Sequence, residues 1–167
     1  MTETIRVVLA DDSVLLREGV AALLEQAGLD VVGQAGTATD LLDLIESTLP
    51  DIAIVDIRMP PTKTDEGIRA AATIRSRHPR TSVLLLSSHV DVENALQLFA
   101  NEISGLGYLL KERVADVDEF VAAVQRVARG GTAIDGSIVM ELGTGIWPDD
   151  AHERLFAVAA DAAVIGD

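Results

Sequence analysis

Residues 51–61 read DIAIVDIRMPP, and how this stretch is read decides the fold. Ile52, Ala53, Ile54 and Val55 form an apolar run of the length and character of a buried strand. Asp56 ends the run, and Met59-Pro60-Pro61 stops any continuation, because proline cannot donate to a strand ladder. A carboxylate therefore stands where the chain leaves the core.

Working outward, the same alternation repeats on both sides. IRVVLA (5–10) reads as a first strand, and SVLLREGVAALLEQAG (13–28) carries a helical apolar stripe ending at Gly28. DVVGQA (30–35) is a second strand, followed by a helix over 37–48 that Thr37 caps, with Asp40 three residues on. After the 52–55 strand comes a helix over 65–78, ended by Pro79. Strands at 82–87 and 106–111 and helices at 92–100 and 117–131 complete five strand–helix units. Continuous apolar strands alternating with amphipathic helices imply a parallel sheet covered on both faces. The expectation is an α/β fold, a doubly wound five-stranded sheet in the order 2-1-3-4-5. Ligands of such sheets bind beyond the carboxyl ends of the strands, where the chain direction reverses between strands 1 and 3. Strand 1 ends in Asp11-Asp12 and strand 3 in Asp56.

Carboxylates converging on one crevice repel each other and raise one another's pKa. A hard cation keeps them ionised, and Mg²⁺ suits the role, taking oxygen ligands at about 2.0–2.1 Å while retaining waters for phosphate oxygens. A carboxylate beside that ion can attack phosphorus and form an aspartyl phosphate, whose oxygens then need neutralising groups. Strand 4 ends in Ser87-Ser88 and strand 5 in Lys111, a hydroxyl donor and a cation at the same sheet edge. Singly, each residue has an ordinary reading: Asp11-Asp12 as a helix N-cap, Ser87 as a turn residue, Lys111 as a solvated strand end. Together, at the ends of strands 1, 3, 4 and 5, they favour a site.

Four motifs carry a resemblance: VLADDS (8–13), IVDIRMPP (54–61), LLLSSH (84–89) and GYLLKE (107–112). In this order and spacing they resemble the receiver domain of two-component response regulators, over residues 4–131. RMPPTKTDEG (58–67), GYLLKERVADVDEF (107–120) and RVARGGTAID (126–135) look most like receivers that precede a LuxR-type helix-turn-helix domain. The resemblance implies a flavodoxin-like fold and a phosphorelay, with Asp56 accepting a phosphoryl group from a sensor histidine kinase. It implies that Asp12 and Asp56 ligate Mg²⁺, with Asp11 close by and the backbone carbonyl of Arg58 as a further ligand. Ser87 and Lys111 would contact the phosphoryl oxygens, Ser87 and Tyr108 would form the switch, and Arg58 and His89 would tune how fast the phosphoryl group is lost. It also implies a homodimer face on helix 4, strand 5 and helix 5, and no enzymatic activity beyond Mg-dependent phosphorylation and dephosphorylation of the chain itself. FANEISGLGYLLK (99–111) departs from the usual pattern by lengthening the approach to strand 5.

The 167 residues fit one domain plus a short extension, assigned here as 4–131 and an acidic segment 132–167. Hydrophobic residues make up 49% and aromatics 3%, so the core must be aliphatic. With no cysteine, disulfides and thiolate metal sites are excluded. The N-terminus lacks a signal-peptide pattern, and no apolar run approaches the roughly 18 residues of a membrane span, so a cytoplasmic protein without membrane contact is expected. Net charge is −14, of which residues 131–167, with seven acids against Arg154, carry −6. That charge opposes DNA binding by this chain, as does the lack of a recognition helix after HERLFAVAADAA (152–163). Glycines and proline at 143, 145 and 148 suggest a flexible connection before a final helix over 149–163, with Trp147 packing the tail onto the domain. His78, before Pro79, reads as structural, and His152 has no ligand partner nearby. Two other functions compete: a transcription regulator whose LuxR-type DNA-binding domain is missing from this chain, and a phosphohydrolase of the haloacid dehalogenase type. The latter places its nucleophile after strand 1 with a second acid two positions on, whereas Asp11 and Asp12 are adjacent.

Overall fold

The Ile52–Asp56 run forms β3, buried at every residue, as a strand covered on both faces must be. In a computed structural model, which describes residues 4–89, 91–100, 103–144, 157 and 162–166, it lies in one parallel sheet. The other strands are β1 (Arg6–Ala10), β2 (Asp30–Ala35), β4 (Ser82–Ser87), β5 (Leu106–Leu110), β6 (Ala133–Asp135) and β7 (Ala163–Ile165). Their order is β2-β1-β3-β4-β5-β6-β7. The helices are α1 (Val14–Gln26), α2 (Ala38–Thr48), α3 (Glu66–Arg77), α4 (Val92–Leu98), α5 (Val117–Ala128) and α6 (Gly136–Thr144), with a 3-10 turn over Lys111–Ala115.

Successive strand residues face opposite sides, so the sheet divides the core in two. Leu9, Ile54, Leu86 and Leu109 pack with Val20 and Leu24 of α1 and Phe120 and Val124 of α5. Val8, Val55, Leu85 and Tyr108 pack with Leu41 of α2, Ile74 of α3 and Phe99 beyond α4. The core is aliphatic as composition requires, with Phe99, Tyr108 and Phe120 the buried aromatics among the described residues.

The order 2-1-3-4-5 holds, but the sheet continues: seven strands, not five, are present among the described residues. The two extra strands span three residues each, too short to show a period. β6 pairs Ala133 with Gly107 and Ile134 with Tyr108. The edge of strand 5 is thus paired at Gly107 and Tyr108, its residues are all buried, and β6 lies against the centre of the expected dimer face of helix 4, strand 5 and helix 5. β7 pairs with β6 in turn, and α6 packs on α4. Gly143 closes no connection; it lies within α6. Helix ends fall within a few residues of expectation, α5 stopping at Ala128 rather than 131 and β5 at Leu110 rather than Lys111. Trp147, His152 and most of the helix expected over 149–163 lie outside the described residues.

Candidate functional site

Strand register builds the site. Ala10 pairs with Val55, so Asp11 and Asp56 are level where β1 and β3 leave the core. Ser87 pairs with Leu110, which puts Lys111 one step beyond Ser87 at the same edge. Asp11, Asp56 and Lys111 each follow by two a residue of the α1–α5 layer, Leu9, Ile54 and Leu109, and so point to one face. Ser87 and Tyr108 belong to the opposite parity, with Leu85 and Leu106.

The contacts follow from this placement. Lys111 Nζ lies 3.1 Å from Asp11 Oδ2 and 3.2 Å from Asp56 Oδ2. Asp11 and Asp56 are both buried. Burial, then the neighbouring Asp11, pushes the Asp56 carboxyl above the usual carboxylate range, with Lys111 pulling the other way. Burial pulls the Lys111 ammonium down, but Asp56 and Asp11 outweigh it and hold its pKa above the ordinary value. Asp11-Asp12 do not cap α1: Ser13 does, its Oγ accepting from Leu16 N at 3.2 Å. The Ser13 amide instead donates to Asp11 Oδ1 at 2.8 Å and orients that carboxylate.

The loop from β3 to α3 closes the other side. Gly67 lets α3 approach: its N–H donates to Ile57 O at 2.8 Å, and a Cβ there would collide with the Asp56 carbonyl oxygen and sit 2.7 Å from Ile57 Cα. The Arg58 N–H donates to Asp56 Oδ1 at 3.3 Å. Lys63 reaches back to Asp12, Nζ to Oδ2 3.0 Å, and this bond, against burial, lowers the Asp12 pKa. Glu66 ties the loop down, accepting from Thr62 N (2.7 Å), Thr62 Oγ1 (2.5 Å) and Thr64 N (3.1 Å). The Thr62 hydroxyl foremost, with these amides, lowers the Glu66 carboxyl to about 2.

A cavity of about 310 Å³ is lined by Asp12, Asp56, Arg58, Lys63, Ser87, Ser88 and Lys111, with Ile57. Carboxylate oxygens of Asp11, Asp12 and Asp56 lie within 4.8 Å of one another, close enough for one cation to bind all three. An all-oxygen donor set beside a carboxyl whose ionisation is disfavoured fits a hard divalent ion.

Of the residues named from sequence, Asp11, Asp12, Asp56, Arg58, Ser87 and Lys111 gather here. His89 is exposed and does not line the cavity; its backbone engages Ser87, whose Oγ donates to His89 O (2.7 Å) and accepts from His89 N (3.2 Å). Tyr108 is fully buried. Its hydroxyl has no hydrogen-bond partner of acceptable geometry although Ser87 and Asn94 are near. Burial pushes the phenol up to about 12. Lys63 and Glu66 were not singled out by sequence reasoning; the only signal was a basic and an acidic residue in the loop after the Asp56 strand.

Residues 7–125 match the response regulator receiver domain family, whose members are in general not enzymes. The chain is 39% identical over 138 residues to the probable transcriptional regulatory protein NarL of Mycobacterium tuberculosis, covering 82% of this chain and 61% of that protein. It thus spans about three-fifths of the length of that relative. The solved receiver domain of the putative response regulator NarL from M. tuberculosis superposes with a TM-score of 0.65 at 38% identity, covering 77% of this chain and 99% of that one. A LuxR-family two-component response regulator from Aurantimonas sp. SI85-9A1 gives 0.73 at 31% identity, covering 84% and 96%. Among the described residues no helix is long and apolar enough to cross a membrane. The sheet order, the acidic edge and these matches agree: the chain belongs to the response regulator receiver domains, of the kind carried by LuxR-family regulators of two-component signalling.

Proposed function

We propose that Asp56 is the phosphoacceptor of this receiver and that a sensor histidine kinase supplies the phosphoryl group. The observation that supports this most is the bridge of Lys111 across Asp11 and Asp56 at the carboxyl edge of β1, β3 and β5. An Asp56 carboxylate oxygen attacks phosphorus of the donor phosphohistidine, the O–P bond forms and the P–N bond breaks. The electron pair stays on the imidazole nitrogen, which takes up a proton. Lys111, lining the cavity, is placed to neutralise one phosphoryl oxygen, and Ser87 can donate to another once its hydroxyl leaves His89 O. Asp11, Asp12, Asp56 and the Arg58 carbonyl would hold Mg²⁺, which offsets negative charge on the phosphoryl oxygens. Arg58, at the cavity wall, and His89, through its hold on Ser87, are the residues placed to tune dephosphorylation.

The name borne by NarL supports a role in transcription regulation and thereby a cytoplasmic location. At a net charge of −14, this chain's own surface repels DNA, so output is assigned to protein contacts or to a separate DNA-binding unit. With the edge of strand 5 paired to β6, self-association through the helix 4–strand 5–helix 5 face would require β6 to leave or the contact to use the helices alone. The test is incubation with acetyl phosphate and Mg²⁺ and mapping of the adduct by mass spectrometry. Phosphate on Asp56, absent from Asp56→Asn, is expected; an equally labile adduct on the variant would overturn the assignment.

A further inference from the structure

Each of the three carboxylates at the sheet edge has an ammonium partner: Lys111 serves Asp11 and Asp56, and Lys63 serves Asp12. A divalent cation that binds between the acids competes with these ammonium groups for the same carboxylates. The two lysines are not equally easy to displace. The Lys111 side chain is 22% exposed and bridges two buried carboxylates, whereas Lys63 is 62% exposed and holds a single oxygen of Asp12. The stem of Lys63 is nonetheless fixed close to its partner. Its N–H donates to Met59 O at 2.9 Å, its backbone is left-handed at φ 55°, and the residues on either side are bound to the Glu66 carboxylate.

Resting on the reading of this cluster as a Mg²⁺ site, we propose that Lys63 is a tethered counter-ion of Asp12 that competes with the divalent cation and so sets the Mg²⁺ concentration at which the receiver becomes competent. The ammonium neutralises the one carboxylate that Lys111 does not reach. When the ion enters, Lys63 gives up Asp12 to it and swings to solvent, at little cost because the ammonium is already mostly hydrated. The β3–α3 loop need not unfold, since Glu66 holds its backbone independently of Lys63.

The size of the effect follows from exposure. Pairs this open contribute little, so removing the ammonium should tighten divalent-ion binding about two- to fivefold and no more. The advantage should shrink as added salt screens the pair.

The experiment measures Mn²⁺ binding to the full chain by loss of the free-ion electron paramagnetic resonance signal, with Mg²⁺ affinity from competition. Lys63→Met keeps the stem and removes the charge, and is expected to bind both ions two- to fivefold more tightly. Lys63→Arg, which keeps the charge, should stay near wild type. Arg69→Gln removes a charge from the neighbouring turn of α3 without contact to Asp12 and should leave the affinity unchanged. Unchanged or weaker binding by Lys63→Met overturns the proposal while leaving the Mg²⁺ site standing. Equal tightening in Arg69→Gln also overturns it, since net charge alone would then explain the gain. Absence of divalent-ion binding by the wild-type chain overturns the metal-site reading itself, and the competition with it.

Discussion

Arg113 and Asp135 clasp the strand end that carries Lys111 to the start of α6. The guanidinium meets both carboxylate oxygens, Nε to Oδ2 and Nη2 to Oδ1, each at 2.9 Å. Asp135 is fully buried and also accepts from Leu110 N at 2.8 Å and Ser137 N at 2.9 Å. Burial pushes its carboxyl up, but Arg113 and these amides outweigh it and hold the pKa below the usual range. β6 is thus joined to β5 by charge as well as by strand pairing.

Removing one partner of such a pair strands the other. Asp135→Ala should lower stability by about 3 kcal/mol, the low end for a broken buried pair because the Arg113 side chain keeps 20% exposure. The paired change Arg113→Met with Asp135→Leu should cost less than Asp135→Ala alone. Urea unfolding of the variants measures both, and a loss under about 1 kcal/mol in Asp135→Ala would show that the clasp is not holding the segment.

The contrast between this clasp and the acidic edge explains what sequence could show. Asp56, Asp11 and Lys111 announce themselves because each ends a continuous apolar run, and strand parity does the rest. Asp135 follows only Ala133 and Ile134, a run too short to separate from a turn, so neither β6 nor its tie to Arg113 was visible. Lys63 was equally hidden: its contact with Asp12 depends on how the 58–67 loop folds back, which no period encodes. Tyr108 stands out in the sequence only through the resemblance, which implies a switch role, and its buried state depends on packing between α3, α4 and the sheet.

Glu66 should matter most at neutral pH. Its folded pKa of about 2 lies below the ordinary 4.5, so the stability it contributes is fully present above 4.5 and is lost as pH falls through 2. Against Glu66→Gln, the wild type should melt higher at pH 6, and the gap should close on acidification across that window. Amide exchange at Thr62 and Thr64 should quicken in the variant. A gap that stays constant down to pH 2 would mean that the carboxylate charge is not what holds the loop.

Tyr108 is the only tyrosine, so phenolate absorbance reports it directly. A pKa raised from 10.0 to about 12 means that the stability tied to its neutral form is whole below pH 10 and is lost as pH rises toward 12. Over that window the wild type should lose up to about 2 kcal/mol more than Tyr108→Phe. At neutral pH the variant should be the more stable by about 1 kcal/mol, because it removes a buried hydroxyl without a partner. Phenolate appearing near pH 10 in the folded protein would contradict the buried placement.

Asp56 presents the opposite balance to Glu66. Burial and Asp11 raise its carboxyl pKa, so ionisation opposes folding, and the stability of the protonated form is lost as pH rises through the raised value. At neutral pH without divalent ions, Asp56→Asn should therefore be more stable than wild type by roughly 0.5–2 kcal/mol, the usual gain when a functional compromise is relieved. Divalent cation should reverse the order. An ion held between Asp11, Asp12 and Asp56 would stabilise the folded state by an amount that grows with the logarithm of its concentration above its Kd, and the variant offers it one charge fewer. Melting both proteins across a Mg²⁺ titration tests the crossing. If Asp56→Asn is less stable at every concentration, Lys111 compensates the buried charge fully, and the site is not held under electrostatic strain for the ion to relieve.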